Sequence, residues 1–300
     1  MSTFVLLTIT GLGLGAMYFL IASGLSLIYG LMGVLNFAHG AFLTVGAYGS
    51  WWAQTHLFDG VHSLVLRFLL SAVIGLILGG IFAALVELVL IRPLYQRHIE
   101  QALVTVGLAL AFVALVQGIW GPDSRPYEVP PWLHETTTIL GAHIPNDRFL
   151  EIATAAAVLL LLQLFLRKTR YGLIIRAGVE NRAMVTALGI DVRRAFTLVF
   201  AIGGVAAALA GVLGGVYFNG IDPQQGTSLL IFAFIVVVIG GLGSLVGSAY
   251  AAVLVGLVQQ YTNYYAAPSL GAGMGDLAVI LLLGVVLLAR PRGLAGALST

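Results

Sequence analysis

The sequence predicts an all-α fold, a polytopic membrane bundle of about 8–9 transmembrane helices with broken or re-entrant segments. Three observations carry that prediction. The 300-residue chain is 60% hydrophobic and 9% charged, with a mean hydropathy of +1.03, whereas a soluble domain carries about 25% charged residues. No charged residue precedes Asp59. And apolar stretches of roughly the 20 residues that a bilayer-crossing helix needs recur along the whole chain.

The first stretch, Phe4–Tyr29, follows MSTF, which lacks a basic n-region. It is also too long for a signal peptide, so it reads as a retained span. Leu31–Trp52, Leu64–Ile91, Ala102–Trp120, Phe149–Leu166 and Ala195–Phe218 follow, then Leu229–Gly240, Leu245–Tyr265 and Leu277–Ala289. The seventh and ninth are short. The seventh ends in GGLGS and reads equally well as a broken or re-entrant helix, which membranes tolerate only where protein or a cavity surrounds it. Arg67 and Glu87 lie near opposite ends of the third stretch, where snorkelling is expected to relieve their cost.

Orientation follows the basic residues. Arg92 and Arg97, the cluster Arg167, Lys168, Arg170, Arg176, Arg182, Arg193 and Arg194, and Arg290 and Arg292 make eleven of the fourteen. Alternation of spans puts all of them on one side, expected to be cytoplasmic. The opposite side receives the Pro-rich Gly121–Arg148 loop, the NGIDPQQGTS connection and the N-terminus. The whole chain, 1–300, reads as one transmembrane domain, with a segment at about 167–194 on the cytoplasmic side and a loop at about 121–148 on the other.

Small residues recur four apart at Gly11/Gly15, Gly75/Gly79, Gly211/Gly215 and Gly243/Gly247. Such spacing lets helix backbones approach closely in lipid and suggests a tight bundle. One polar island stands out: Asn36 and His39 sit within LMGVLNFAHGAFLTVGAY, with no charge near them. In apolar surroundings such groups must find partners or water. They either satisfy backbone carbonyls at a helix interruption and link helices, or line a solute path there. The later GGLGSLVGSAY is a weak counterpart.

Chemistry of its own is not expected of this chain. There is no phosphate-binding G-x-x-x-x-G-K-[ST], no H-E-x-x-H and no G-x-S-x-G. Cysteine is absent, which excludes disulfides and thiolate metal sites. No metal or cofactor is expected to bind, and nothing points to nucleic acid. Ionisable residues expected at mid-membrane in a proton-driven pump are missing, which counts against a self-sufficient secondary transporter or channel. A membrane-embedded enzyme lacks any clustered acid, base or metal ligand. A transport subunit powered by something else is the simplest class left.

Within RKTRYGLIIRAGVENRAMVTALGIDVRRA, Glu180 to Leu188 reads as a short helix with Gly189 as its stop. Its length of about 13 Å cannot cross a bilayer. Met184 and Leu188 share one face, with Ala183 and Ala187 beside it. It either lies on lipid or docks into another protein, which the small stripe favours.

ENRAMVTALGIDVRRAF, GLMGVLNFAHGAFLTVGAY, VVVIGGLGSLVGSAYAA and the closing ARPRGLAG together resemble the branched-chain amino acid permease family of ATP-binding cassette importers, and specifically the first of its two paired permease subunits. The resemblance implies an inner-membrane subunit that forms the translocation path. It implies as partners a second homologous permease, two cytoplasmic ATPases that use ATP, and a periplasmic binding protein that delivers the solute. Glu180, Asn181, Ala183, Met184, Ala187, Leu188, Gly189 and Ile190 would be gripped by an ATPase. Branched-chain amino acids are the implied solute, with urea, amides and aromatic acids as alternatives within the family.

Overall fold

The computed structural model describes residues 2–33, 35–95, 97–180, 184–185, 189 and 191–295. Among them are ten α-helices: α1 (Ser2–Met32), α2 (His39–Trp52), α3 (Leu64–Val86), α4 (His98–Trp120), α5 (Asn146–Lys168), α6 (Arg170–Glu180), α7 (Val192–Tyr217), α8 (Gln225–Gly240), α9 (Leu245–Leu270) and α10 (Met274–Ala289). Six, namely α1, α3, α4, α5, α7 and α9, are long and apolar enough to cross a membrane, and α8 and α10 are shorter apolar helices. The all-α polytopic bundle is the observed architecture.

The second expected span, Leu31–Trp52, is not one helix. It breaks at 33–38, where Gly33 adopts φ +64°, and α2 resumes at His39 for 14 residues before a π-helical turn, Ala53–Leu57. The seventh is longer than expected, because its helix already begins at the polar Gln225. Helix α6 falls where the sequence reading placed only a connection. The loop between α4 and α5 also folds a small antiparallel hairpin, β1 (Thr136–Ile139) with β2 (Ala142–Pro145).

Backbone contact at small residues holds the centre together. A methyl at Gly15 of α1 would lie 2.5 Å from the Ala252 carbonyl oxygen of α9, and one at Gly75 of α3 equally close to the Gly46 carbonyl oxygen of α2. Gly211 of α7 abuts the Leu43 carbonyl of α2, and Gly243 meets Gly30 of α1. Each of the four spaced pairs thus contributes a point where two backbones nearly touch, as close packing in lipid requires.

The two ends of the bundle gather different segments. At one end the Arg125 and Ile221 backbones pair in both directions, at 2.8 and 2.9 Å. There too Arg67 bridges Asp59 at 3.2 Å and Glu128 at 3.0 Å, and β2 packs on α1. Tyr127 anchors this layer by a 2.6 Å hydrogen bond shared with Ser50, and burial pushes its phenol above the usual range. At the other end Leu294 and Ala295 donate to the Ile239 and Gly240 carbonyls.

Candidate functional site

Asn36 and His39 are both fully buried. Asn36 shapes the break: its Oδ1 accepts from the Ala38 amide at 3.1 Å and its carbonyl from the His39 amide at 3.2 Å, a local turn that launches α2. His39 Nε2 donates to the Ile21 carbonyl of α1 at 3.1 Å, so its ring ties α2 to α1. Its edge meets Phe42 at 5.4 Å, and Gly24 leaves it room, since a methyl there would lie 2.9 Å from the ring. Asn36 Nδ2 and His39 Nδ1 have no hydrogen-bond partner among the described residues.

The break at 33–38 does not stand alone. Gly241 and Gly243, at φ +99° and +84°, break the chain between α8 and α9, and Gly243 lies directly against Gly30. The interruption between α8 and α9 therefore packs against the last turn of α1, just ahead of the first break. Deeper in, the starts of α2 and α8 also meet: a methyl at Gly40 would lie 2.6 Å from the Gly226 carbonyl oxygen.

Three polar clusters with buried members escaped the sequence reading. Glu87 does not snorkel; it is fully buried, with Arg92 Nη2 at 3.2 Å, Thr197 Oγ1 donating at 2.7 Å, and the Tyr95 hydroxyl donating as well. Arg92 also donates to Thr197 at 2.7 Å, closing the network between α3 and α7. In α5, Arg148 bridges Glu151 at 3.3 Å and Asp147 at 3.5 Å, and its guanidinium lies 3.5 Å over the Tyr217 ring. Tyr18 donates to Gln259 Oε1, and Gln259 Nε2 to Asp276 Oδ1, each at 2.7 Å. Buried ionisable groups are thus present in this bundle, contrary to the expectation of none, but each is met by opposite charge or hydrogen bonds.

Of the segment expected to meet an ATPase, Asn181, Ala183, Ala187, Leu188 and Ile190 lie outside the described residues. Glu180 ends α6. Met184 is exposed on a helical turn whose next residue, Val185, is buried. Gly189 has φ +78°, the left-handed region that favours glycine.

A profile of the family described as branched-chain amino acid transport system / permease component matches residues 7–290. The chain belongs to this family. It is 29% identical to the high-affinity branched-chain amino acid transport system permease protein LivH of Salmonella typhimurium, covering 95% of this chain and 93% of that one. To the corresponding protein BraD of Pseudomonas aeruginosa it is 31% identical, over 96% and 94%. The fructose import permease protein FruF of Bifidobacterium longum is 29% identical over 84% of this chain and 69% of its own length. No solved structure gives a significant match.

As a permease of this family the chain is a multi-pass membrane subunit of an ATP-binding cassette importer. The polar clusters were invisible beforehand because their members are distant in sequence: Glu87 and Thr197 are 110 residues apart. The one available signal was that Arg92 and Tyr95 fall three residues apart, as a shared helix face requires, close behind Glu87.

Proposed function

We propose that this permease pairs with a second, homologous permease subunit, and that two cytoplasmic ATPases and a periplasmic binding protein complete an importer of branched-chain amino acids in a bacterial inner membrane. The observation that carries this reading is the likeness to LivH and BraD over nearly the whole of each chain, both named as permeases of branched-chain amino acid transport. Positive charge at one end of the bundle supports a cytoplasmic C-terminus and a periplasmic N-terminus. The chain binds no cofactor; ATP is hydrolysed by the partners, and the segment from Glu180 to Ile190 passes that work to α7. Asn36 and His39 brace the broken helix beside the solute path. A second reading, a different solute on the same scaffold, is supported by the likeness to a fructose permease.

The test is co-purification with the four partner subunits and reconstitution in nanodiscs. L-leucine-loaded binding protein should raise ATP hydrolysis, and the permease alone should show none. Replacing Ala187 with Glu should reduce stimulated hydrolysis about tenfold or more, since an overpacked, charged contact costs about 1–3 kcal/mol and upward. Hydrolysis by the permease alone overturns the reading that partners supply the ATPase, and full stimulation in the Ala187→Glu complex overturns the assignment of that segment.

A further inference from the structure

Helix α3 changes its winding where it ends. After Val86 the chain makes a π-helical turn, Glu87–Ile91, and then a 3₁₀ turn, Arg92–Leu94. In an unbroken α-helix, residues five apart point about 140° away from each other. The π turn stacks them instead. The Arg92 amide donates to the Glu87 carbonyl, and the Arg92 guanidinium folds back onto the Glu87 carboxylate. Such turns are rare inside helices and collect at functional positions.

The buried carboxylate is fully used. Oε1 accepts from Arg92 Nε at 3.3 Å and from the Tyr95 hydroxyl, and Oε2 accepts from Arg92 Nη2 at 3.2 Å and Thr197 Oγ1 at 2.7 Å. Of these donors only Thr197 belongs to α7, in its second turn. Thr197 has another acceptor in reach, the Arg193 carbonyl of its own helix at 3.2 Å. One hydroxyl proton serves one acceptor at a time, and this second bond is the back-bond that threonines make within helices. If Thr197 turns to Arg193, Glu87 keeps Arg92 and Tyr95, and Arg92 Nη2 keeps Glu87. Opening thus costs the two 2.7 Å bonds at Thr197 and orphans no group. Farther along, Gly204 of α7 abuts Ala83 and Gly79 of α3, so the two helices can part only at this end. For strength alone, apolar residues of similar volume hold two helices as well as a buried carboxylate does. The arrangement suits a contact that is made in one state and released in another.

Resting on the importer reading above, in which the segment ahead of α7 meets an ATPase, we propose that Glu87 and Thr197 form a clasp that holds the nucleotide-free state. The Thr197 proton lies on Glu87 while α7 is at rest. It swings to the Arg193 carbonyl when the start of α7 is drawn away from α3. Neither residue touches solute or ATP; both act as positioning residues, through the place they give α7. A bond made in only one of two states shifts the balance between them by its own strength.

The test uses the complete importer in nanodiscs, with spin labels at Val89→Cys and Arg194→Cys. Both positions are exposed, on the two chain ends that the clasp joins, and the chain has no cysteine of its own. The nucleotide-free complex with native Thr197 should give one label distance, and the vanadate-trapped complex a longer one. Thr197→Val, which keeps the shape and removes the hydroxyl, should show the longer distance before nucleotide is added. Its hydrolysis without binding protein should rise about tenfold or more, the order of a lost hydrogen bond to a charged group. Complex yield should stay at the wild-type level. Thr197→Ser, which restores the hydroxyl, should return distance and hydrolysis to wild type. A distance that trapping leaves unchanged, or a Thr197→Val complex with wild-type distance and no rise in hydrolysis, overturns the clasp. A wild-type complex that hydrolyses no ATP with all its partners present overturns the importer reading, while the nucleotide-free distance in Thr197→Val still decides the clasp.

Discussion

Helices α7 and α4 are nearly the same length and equally apolar, yet α7 is 67% buried over its most apolar stretch and α4 only 11%. Hydropathy cannot tell them apart. What separates them is side-chain size: α7 carries GGVAAALAGVLGG, whereas α4 carries LVTVGLALAFVALV. In lipid, burial between helices gains little from apolarity, because acyl chains are just as apolar. Close backbone approach is the gain, and only small residues allow it. Helices α1 and α5 repeat the contrast, at 61% and 17%.

The largest way to break this contrast is through the buried charge at the end of α3. Arg92→Leu leaves Glu87 fully buried with only hydroxyl partners, and loss of one member of a buried pair costs about 3–5 kcal/mol. Unfolding in mixed micelles by SDS titration should show a loss of that order. Arg194, 83% exposed and paired with Asp191, makes the comparison: Arg194→Ala should cost about 1 kcal/mol or less. Equal losses for the two would mean that Glu87 is not held in the way its partners suggest.

Next in size is the glycine contrast itself. A methyl at Gly211 of α7 collides with the Leu43 carbonyl of α2, while one at Gly107 of α4 meets no described residue within 4 Å. Gly211→Ala should therefore destabilise by about 1–3 kcal/mol, since backbone must shift. Gly107→Ala should be neutral or stabilising by up to about 1 kcal/mol, the helix propensity gained. The same micelle titration checks both. Matching losses would place α4 against something as close as α7's neighbours.

That contrast also marks how far the sequence could be read. Spans were legible because twenty apolar residues have one use in a bilayer, and close packing was legible because small residues at a spacing of four share a face. The start of α8 was not. Gln224 to Ser228 look like connection, and only the fold shows that they enter the bundle beside Gly40 and Gly214. The break ahead of α2 was only half legible: Asn36 and His39 raised the possibility of a helix interruption, but hydropathy runs across Leu31–Trp52, so the stretch still read as one span. Glu87 near a span end looked free to reach water, because one sequence does not show that α7 lies across its path. Asn36 and His39 drew notice simply as polar residues in an apolar run, which says that they have partners and not which ones.

The smallest expected effect on stability belongs to Asn36 and His39. Each makes hydrogen bonds in the bundle, and interhelical hydrogen bonds in membranes average about 0.6 kcal/mol. Each also leaves one nitrogen without a partner among the described residues, so replacement removes an unmet group as well as a bond, and the two changes offset. Asn36→Leu and His39→Leu should then assemble with normal yield and keep basal ATP hydrolysis. Uptake is a different matter, because the turn at Asn36 and the tie from His39 to Ile21 decide where α2 begins, and α2 begins against α8. A shift of that start moves Gly40 relative to Gly226 and disturbs the polar end of α8 without unfolding anything. The expected result is a several-fold fall in uptake per ATP, larger for His39→Leu, whose lost bond spans two helices, than for Asn36→Leu, whose bonds are local. Failed assembly in either variant would make the pair purely structural, and unchanged uptake in both would mean that the break at 33–38 has no part in transport.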